Sequence, residues 1–392
     1  MKKILILGAG VYQVPLIKKA KAMELFTIVA SINGNYPGFR YADKVYFEDT
    51  TDVEAIFNIA KTEKIDGICA SGTDVALSSL GKVCDEMNLK GISYKAACFS
   101  NDKLRMKEAF LTNNVRTALF EKASNLEEAH KIFDKLKKPL LFKTVDSSGS
   151  RGIIAVNNKA QIKSALNKIK TVSKKNYFII EEFIEGIEFG AQALIDEEEI
   201  IFVLPHGDKV FQGDTGVPIG HYAPYELSEK IITDIKEQLS KSIQALEFNN
   251  CAINADFILK DNKAYLLEIG ARAGATCLPE LVATYYGIDY YKMIIELALG
   301  VKTKFNPEKP TPCAAELIIS NKNGIIRDKI IDVQEFKDKI IDLVMDYEIG
   351  DRVNRFNVGV DRLGHVIIKD SSLASALEIL ESINHRIKIV VE

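Results

Sequence analysis

The chain opens on Lys3-Ile-Leu-Ile-Leu7, a continuous apolar run closed by Gly8-Ala9-Gly10. Apolar residues at every position suit a strand buried on both faces, as in a parallel sheet. The pattern then changes period. A helix is predicted over Gln13–Met23, a strand over Phe26–Ala30 and another over Lys44–Phe47. Asp52 has the position of an N-cap before the next helix. Ile65–Ala70 reads as a strand and Asp74–Asn88 as an amphipathic helix. Strands alternating with helices predict a parallel, doubly wound α/β domain over residues 1–95.

Beyond it the texture becomes mixed. Asn101-Asp102-Lys103 caps a helix to Leu111, and Ser124 with Glu127 has capping-box spacing before a helix over Leu126–Leu136. Strands are predicted at Leu140–Lys143, Ile153–Val156, Phe178–Glu181, Glu188–Ile195 and Ile200–Leu204, with helices at Lys159–Lys170 and Leu227–Leu246. Ala252–Leu259 and Ala264–Ile269 form a hairpin, and helices over Leu278–Tyr286 and Tyr290–Leu299 follow. This order is α+β. Pro307, Pro310 and Pro312 precede a last module with a strand at His365–Ile368, a helix at Ser372–Ile383 and a strand at Arg386–Val391. The expected units are 1–95, 96–305 and 306–392.

Composition narrows the function classes. The 392 residues carry 51 basic and 54 acidic side chains, a net charge of −3. That balance speaks against a basic nucleic-acid binder and against an acidic disordered tail. No apolar run approaches the roughly 20 residues that span a bilayer, so a cytoplasmic protein without a membrane partner is expected. The six cysteines are scattered without a C-x-x-C pair, which fits neither a disulfide framework nor a zinc site.

The glycine turn after the first strand invites a dinucleotide reading. G-x-G-x-x-G, however, needs glycine where Gln13 stands, and the second strand ends in Ala30-Ser31 rather than an acid. A nicotinamide-dependent oxidoreductase is therefore disfavoured. A turn whose amides face an anionic small molecule fits better.

Four segments carry candidate chemistry. Lys103 starts a helix; taken alone it is an ordinary solvated lysine. Lys143 ends an apolar strand and is followed by Asp146-Ser-Ser-Gly-Ser-Arg-Gly152. Small residues there let backbone amides approach phosphate oxygens while the lysine adds a point charge, and the spacing excludes a Walker A loop. Glu181-Glu182-Phe183-Ile184, with Glu188 beyond, ends a β-rich run in carboxylates. Extended backbone there could meet an adenine edge, and Glu188 could meet ribose hydroxyls. Last come Asp256 and Glu268 on the two arms of the hairpin. An odd-numbered loop places them directly opposite, about 5 Å apart at Cβ; a two-residue Asp-Asn turn places them on opposite faces. Opposed carboxylates repel unless a cation lies between them, and Mg²⁺ takes one or two carboxylates plus nucleotide phosphates.

In this order and at this spacing, the four segments resemble the ATP-grasp superfamily across essentially the whole chain. The similarity is strongest to its carbamoyl-phosphate-synthetase-like and biotin-carboxylase-like branch, which includes the L-amino acid ligases. The resemblance implies a Rossmann-like pre-ATP-grasp domain, a two-part core with a small mobile subdomain near residues 115–182, and a C-terminal lid. It implies ATP with Mg²⁺ or Mn²⁺. Lys103 and Lys143 would hold phosphates, and Ser147, Ser148, Gly149, Ser150 and Gly152 would close over them. Glu181, Glu182, Phe183 and Ile184 would form the adenine hinge, and Glu188 would hold ribose. Asp256 and Glu268 would hold the metal, and Arg272 would steady the transferring phosphoryl group, with Lys143 also serving catalysis. One departure stands out: the family's Glu-x-Asn-x-Arg is Glu268-Ile-Gly270-Ala-Arg272 here. Gly270 has no side chain to ligate a second ion.

The implied reaction is ATP-dependent joining of a carboxylate to an amine through an acyl phosphate. An ATP-dependent carboxylase using bicarbonate shares the same site, and a non-catalytic nucleotide-binding regulator is a further class. Small-molecule substrates and a homodimer are the implied partners. Substrate is expected between the first domain and the core, near Gly10–Gln13, Ser71–Asp74, Arg272 and Thr276–Glu280. His206 and His221 bracket a polar stretch and read as surface histidines.

Overall fold

The computed structural model describes residues 1–147, 152–213 and 216–392. The predicted loop residues Ser148, Gly149 and Ser150 lie outside that set. The first strands form a parallel sheet in the order Lys44–Phe47, Phe26–Ser31, Lys3–Leu7, Gly67–Cys69. Ile4 to Leu7 are wholly buried, as their unbroken apolar pattern requires. Helices Val14–Ala22, Val53–Glu63 and Leu77–Met87 accompany this sheet, and Asp52 caps the second by accepting from the Ala55 amide at 2.9 Å.

The chain order reverses between the strands Lys3–Leu7 and Gly67–Cys69. Ligand crevices in open α/β sheets form outside the carboxyl ends of strands at such a point. The loops leaving those two ends carry Tyr12 and Gln13 on one side and Ser71 to Asp74 on the other. Gln13 accounts for the missing third glycine. Its Oε1 accepts from the Gly10 amide at 3.0 Å and its Nε2 donates to the Ser71 carbonyl at 2.6 Å. The buried side chain therefore fills the loop and ties the two strand ends together.

A second sheet of four strands joins Phe120–Ala123, Phe178–Glu182, Leu140–Lys143 and Ile153–Val156 in that order. The helix before Leu140 starts one residue later than its predicted box. Asn125 is the N-cap, accepting from the Glu128 amide at 3.0 Å, and Glu128 reaches back to the Ser124 amide at 2.7 Å. The box is thus Asn125/Glu128 rather than Ser124/Glu127.

The largest sheet has eight strands. It runs Lys263–Gly270, Cys251–Lys260, Ile187–Asp196, Glu199–Val210, Pro218–Ala223, Cys313–Ile318, Gly364–Lys369, Ile340–Met345. The C-terminal strands thus continue the sheet that carries the hairpin, through the pairing of Gly220 with Glu316. The first domain meets this sheet's end where Ser71 bridges to Ala273 and the Gly72 amide donates to the Ala273 carbonyl at 3.1 Å.

Gln13→Ala leaves the Gly10 amide and the Ser71 carbonyl without their buried partner. Chemical denaturation is expected to show a loss of about 1–3 kcal/mol.

Candidate active site

The hairpin decides the site. Lys260 pairs with Lys263, so the turn has two residues, Asp261 and Asn262, with φ of 50° and 56°. Both central residues at positive φ suit the tight turn that matches strand twist. With such a turn alone, Asp256 and Glu268 would face opposite ways. The register shifts between Asp256 and Phe257: Phe257 pairs with Leu266 but Asp256 pairs with Glu268, leaving Leu267 without an opposite number. This β-bulge turns both carboxylates to one face.

Asp256 opens to the cleft on one side and is crowded by protein elsewhere. That crowding, together with the charges of Glu268 and Asp208, pushes its carboxyl up to about 7. Among the described residues, Lys103 answers this repulsion by direct contact and Arg272 by its nearby charge. Lys103 Nζ lies 2.6 Å from Glu268 Oε1 and donates to the Ser147 carbonyl at 2.9 Å. Burial lowers the Lys103 ammonium, but Glu268, Asp74 and Asp256 outweigh it and hold it above its ordinary value. A pair of oxygen ligands with this much unanswered negative charge suits a hard divalent ion.

Lys103 is the first residue of the helix Lys103–Thr112, capped by Asp102. One turn on, Lys107 points the same way and is buried, 3.2 Å from Glu181 Oε1. Lys143 Nζ lies 2.7 Å from Glu181 Oε2. Glu181 is buried between the two ammoniums. Burial alone would raise its carboxyl, yet the two lysines hold it at about 2. Lys107 is pushed down to about 8 by burial and by Lys143, against the pull of Glu181. Two lysines on one carboxylate leave an excess positive charge for a polyphosphate. Lys107 escaped the sequence reading, although its spacing of four from Lys103 on one helix was visible.

Gly152 has φ of 77°, and a Cβ there would lie 2.6 Å from the Thr144 side chain, so glycine is required. The Thr144 amide donates to the Gly152 carbonyl at 3.0 Å and closes the loop at its base. The Glu181 side chain serves the lysines rather than open space. Glu182 Oε1 accepts from the Lys137 amide at 3.1 Å, and the Phe183 amide donates to the Pro139 carbonyl at 3.1 Å. Phe183 is exposed, Ile184 is buried and Glu188 is exposed on its strand.

Arg272 is held by the first domain. Its Nε and Nη2 donate to the two oxygens of Asp74 at 2.7 and 2.8 Å. Burial raises the Asp74 carboxyl, but Arg272 and Lys103 outweigh it and keep it below its ordinary value. This explains Gly270. A Cβ there would stand 3.0 Å from Asp74 Oδ1, so the Asp74 carboxylate occupies the space that an asparagine side chain would enter.

His206 and His221 are buried, not surface residues. Asp208 Oδ1 lies 3.0 Å from His206 Nδ1 and 2.6 Å from His221 Nδ1. Burial raises the Asp208 carboxyl, yet the two imidazoles hold it below the usual carboxylate range; burial also lowers His221. Gly190 makes the room, since a Cβ there would fall 2.2 Å from His206 Cε1. Gly190 pairs with Asp256 on one side and with His206 on the other, so this cluster and the carboxylate pair share one face of the sheet.

Comparisons with known proteins bear on the family and the fold. The profile described as "Phosphoribosylglycinamide synthetase, ATP-grasp (A) domain" matches residues 101–277, and "L-amino acid ligase C-terminal domain 2" matches residues 318–392. A crystal structure of phosphoribosylglycinamide synthetase from Anaerococcus prevotii is 34% identical, covers 100% of both chains and has a TM-score of 0.84. The L-amino acid ligase of Bacillus licheniformis shares the fold, at 17% identity over 100% of this chain and 99% of that one, with a TM-score of 0.82. The carbamoyl phosphate synthase large chain of Thermoanaerobacter pseudethanolicus is 26% identical over 323 residues, which are 78% of this chain and 30% of that protein. The chain thus spans about 30% of the length of that relative.

Glu181→Gln is expected to cost about 3–5 kcal/mol near pH 7, because two buried ammoniums lose their counter-charge. The sign with pH follows from the depressed carboxyl. Its contribution is present above the unfolded value near 4.5 and is lost as pH falls towards about 2. The wild-type advantage in denaturation experiments should therefore shrink over that window.

Proposed function

The chain belongs to the ATP-grasp superfamily, and on that premise we propose that it is an ATP-dependent ligase that joins a carboxylate to an amine. The observation that carries this reading is the face-to-face pair Asp256 and Glu268, with Lys103 beside it and the Lys107–Glu181–Lys143 cluster in the same core. The donor set fits Mg²⁺ or Mn²⁺: two oxygen ligands, one raised to about 7 by crowding and by its neighbours, with room left for phosphate oxygens. Bound there, the ion would neutralise charge on the β- and γ-phosphates.

In this reading Lys103 and Lys143 bind ATP phosphates, and Lys107 keeps Glu181 ionised beneath Lys143. Phe183 and Ile184 border the adenine, and Glu188 faces the ribose. A substrate carboxylate oxygen attacks the γ-phosphorus. The bond from that phosphorus to the bridging oxygen breaks, ADP leaves and an acyl phosphate remains. The amine then attacks the acyl carbon, loses a proton and releases phosphate. Arg272, aimed by Asp74, steadies the negative charge of the transferring group. Most of the chain's contribution is positioning and charge compensation, as phosphoryl transfer requires little covalent chemistry from the protein.

The test is ADP and phosphate release with Mg²⁺, ATP and a panel of amino acids, other carboxylates and bicarbonate, with product masses determined. Lys143→Ala and Glu268→Ala are expected to lower kcat/KM by about 10²–10³-fold. Unchanged ADP formation in either variant would overturn the assignment. Carboxylated products with bicarbonate would replace the ligase reading with the carboxylase one.

A further inference from the structure

His206, Asp208 and His221 have no part in the phosphate chemistry described above, yet two strands gather them at one point. His206 and Asp208 stand two residues apart on the strand Glu199–Val210, so their side chains leave the same face. Asp208 pairs with His221 on the neighbouring strand Pro218–Ala223, which sets the third side chain directly opposite. Side chains opposed in this way are about 5 Å apart at Cβ. One ligand-type atom from each of the three residues lies within 4.8 Å of the other two.

These atoms converge rather than pair off. Asp208 Oδ1 alone takes both rings, 3.0 Å from His206 Nδ1 and 2.6 Å from His221 Nδ1. The rings stand close to perpendicular, at 84°, with centres 5.2 Å apart. Among the described residues Asp208 has no lysine or arginine partner, and the two imidazoles are its only ion-pairing groups. Both histidines are buried, while the Asp208 side chain keeps 22% of its surface open and so leaves an ion a way in. On the far side of its ring, His206 Nε2 stands 3.4 Å from Gln192 Nε2. That is longer than an ordinary hydrogen bond, so the contact does not fix which ring nitrogen carries the proton.

Two neutral imidazoles and one carboxylate suit a borderline transition metal, whereas Mg²⁺ takes oxygen ligands. Bonds of about 2.0–2.1 Å to Zn²⁺ hold neighbouring ligand atoms roughly 3.0–3.4 Å apart, so the three atoms need to spread by less than about 1 Å. We propose that His206, Asp208 and His221 form a second divalent-metal site, of the Zn²⁺ class, separate from the oxygen-only pair Asp256 and Glu268. Three protein ligands leave a coordination position open, as in zinc sites that hold a water or a substrate atom. Gly190 pairs with Asp256 on one side and His206 on the other, so the two metal sites share one face of the sheet. The second site stands whether or not the chain joins a carboxylate to an amine.

The test is Zn²⁺ titration of the full-length protein, stripped with a chelator and kept in excess Mg²⁺, against a chromophoric competitor. A saturable Zn²⁺ site that Mg²⁺ does not displace is expected. Asp208→Asn and His221→Gln should each raise its Kd at least about tenfold, while Glu268→Gln should leave it unchanged. X-ray absorption of the Zn²⁺-loaded wild type, which depends on no variant folding, should show nitrogen and oxygen neighbours with the outer-shell scattering of imidazole. Absence of a saturable site in the wild type, displacement by Mg²⁺, sulfur neighbours from cysteine, or an equal Kd in the wild type and both site variants would overturn the proposal. The three side chains would then be a hydrogen-bonded trio and nothing more.

Discussion

Two carboxylates facing each other across a hairpin set the terms for the rest of the molecule. Asp256 and Glu268 are brought together by a single extra residue, Leu267, in a strand whose tight turn would otherwise separate them. Like charges this close are unfavourable unless cations are supplied. Among the described residues, Lys103 from a helix start touches Glu268 and Arg272 adds its charge from beside the pair. A bulge is thus the device that converts an ordinary antiparallel pair into a place for a cation and a polyphosphate.

The surroundings hold this arrangement from both ends of the chain. The first domain reaches in with Asp74, which aims Arg272 and fills the space over Gly270. The C-terminal strands extend the same eight-stranded sheet, and beside them Arg362 lies over the Tyr12 ring of the first domain. Substitution of the family's asparagine by glycine is therefore not an isolated loss. It accompanies an acid on a distant loop whose carboxylate needs that room.

Much of this was legible in the residues. Unbroken apolar runs gave the parallel strands, and Lys103, Lys143, Asp256 and Glu268 were singled out by type and order. Gln13 departs from the dinucleotide pattern, and its side chain proves to occupy the loop. Other features depend on contacts that spacing does not encode. The bulge at Leu267 has no mark in a hairpin pattern read by turn length. His206 looked like a surface residue because its burial rests on Gly190, one strand away, and His221 because its partner Asp208 lies on the neighbouring strand. Arg362 meets Tyr12 of the first domain only because the last strands join the core sheet. Lys107 was the one omission with a local signal, one helical turn beyond Lys103.

The central claim is that the opposed carboxylates hold a divalent cation together with nucleotide phosphates. Electron paramagnetic resonance of Mn²⁺ titrated into the protein with a non-hydrolysable ATP analogue tests it directly. Saturable binding in the wild type, weakened at least tenfold in both Asp256→Asn and Glu268→Gln, is the predicted result. Equal Mn²⁺ affinity in the wild type and the two variants would contradict it.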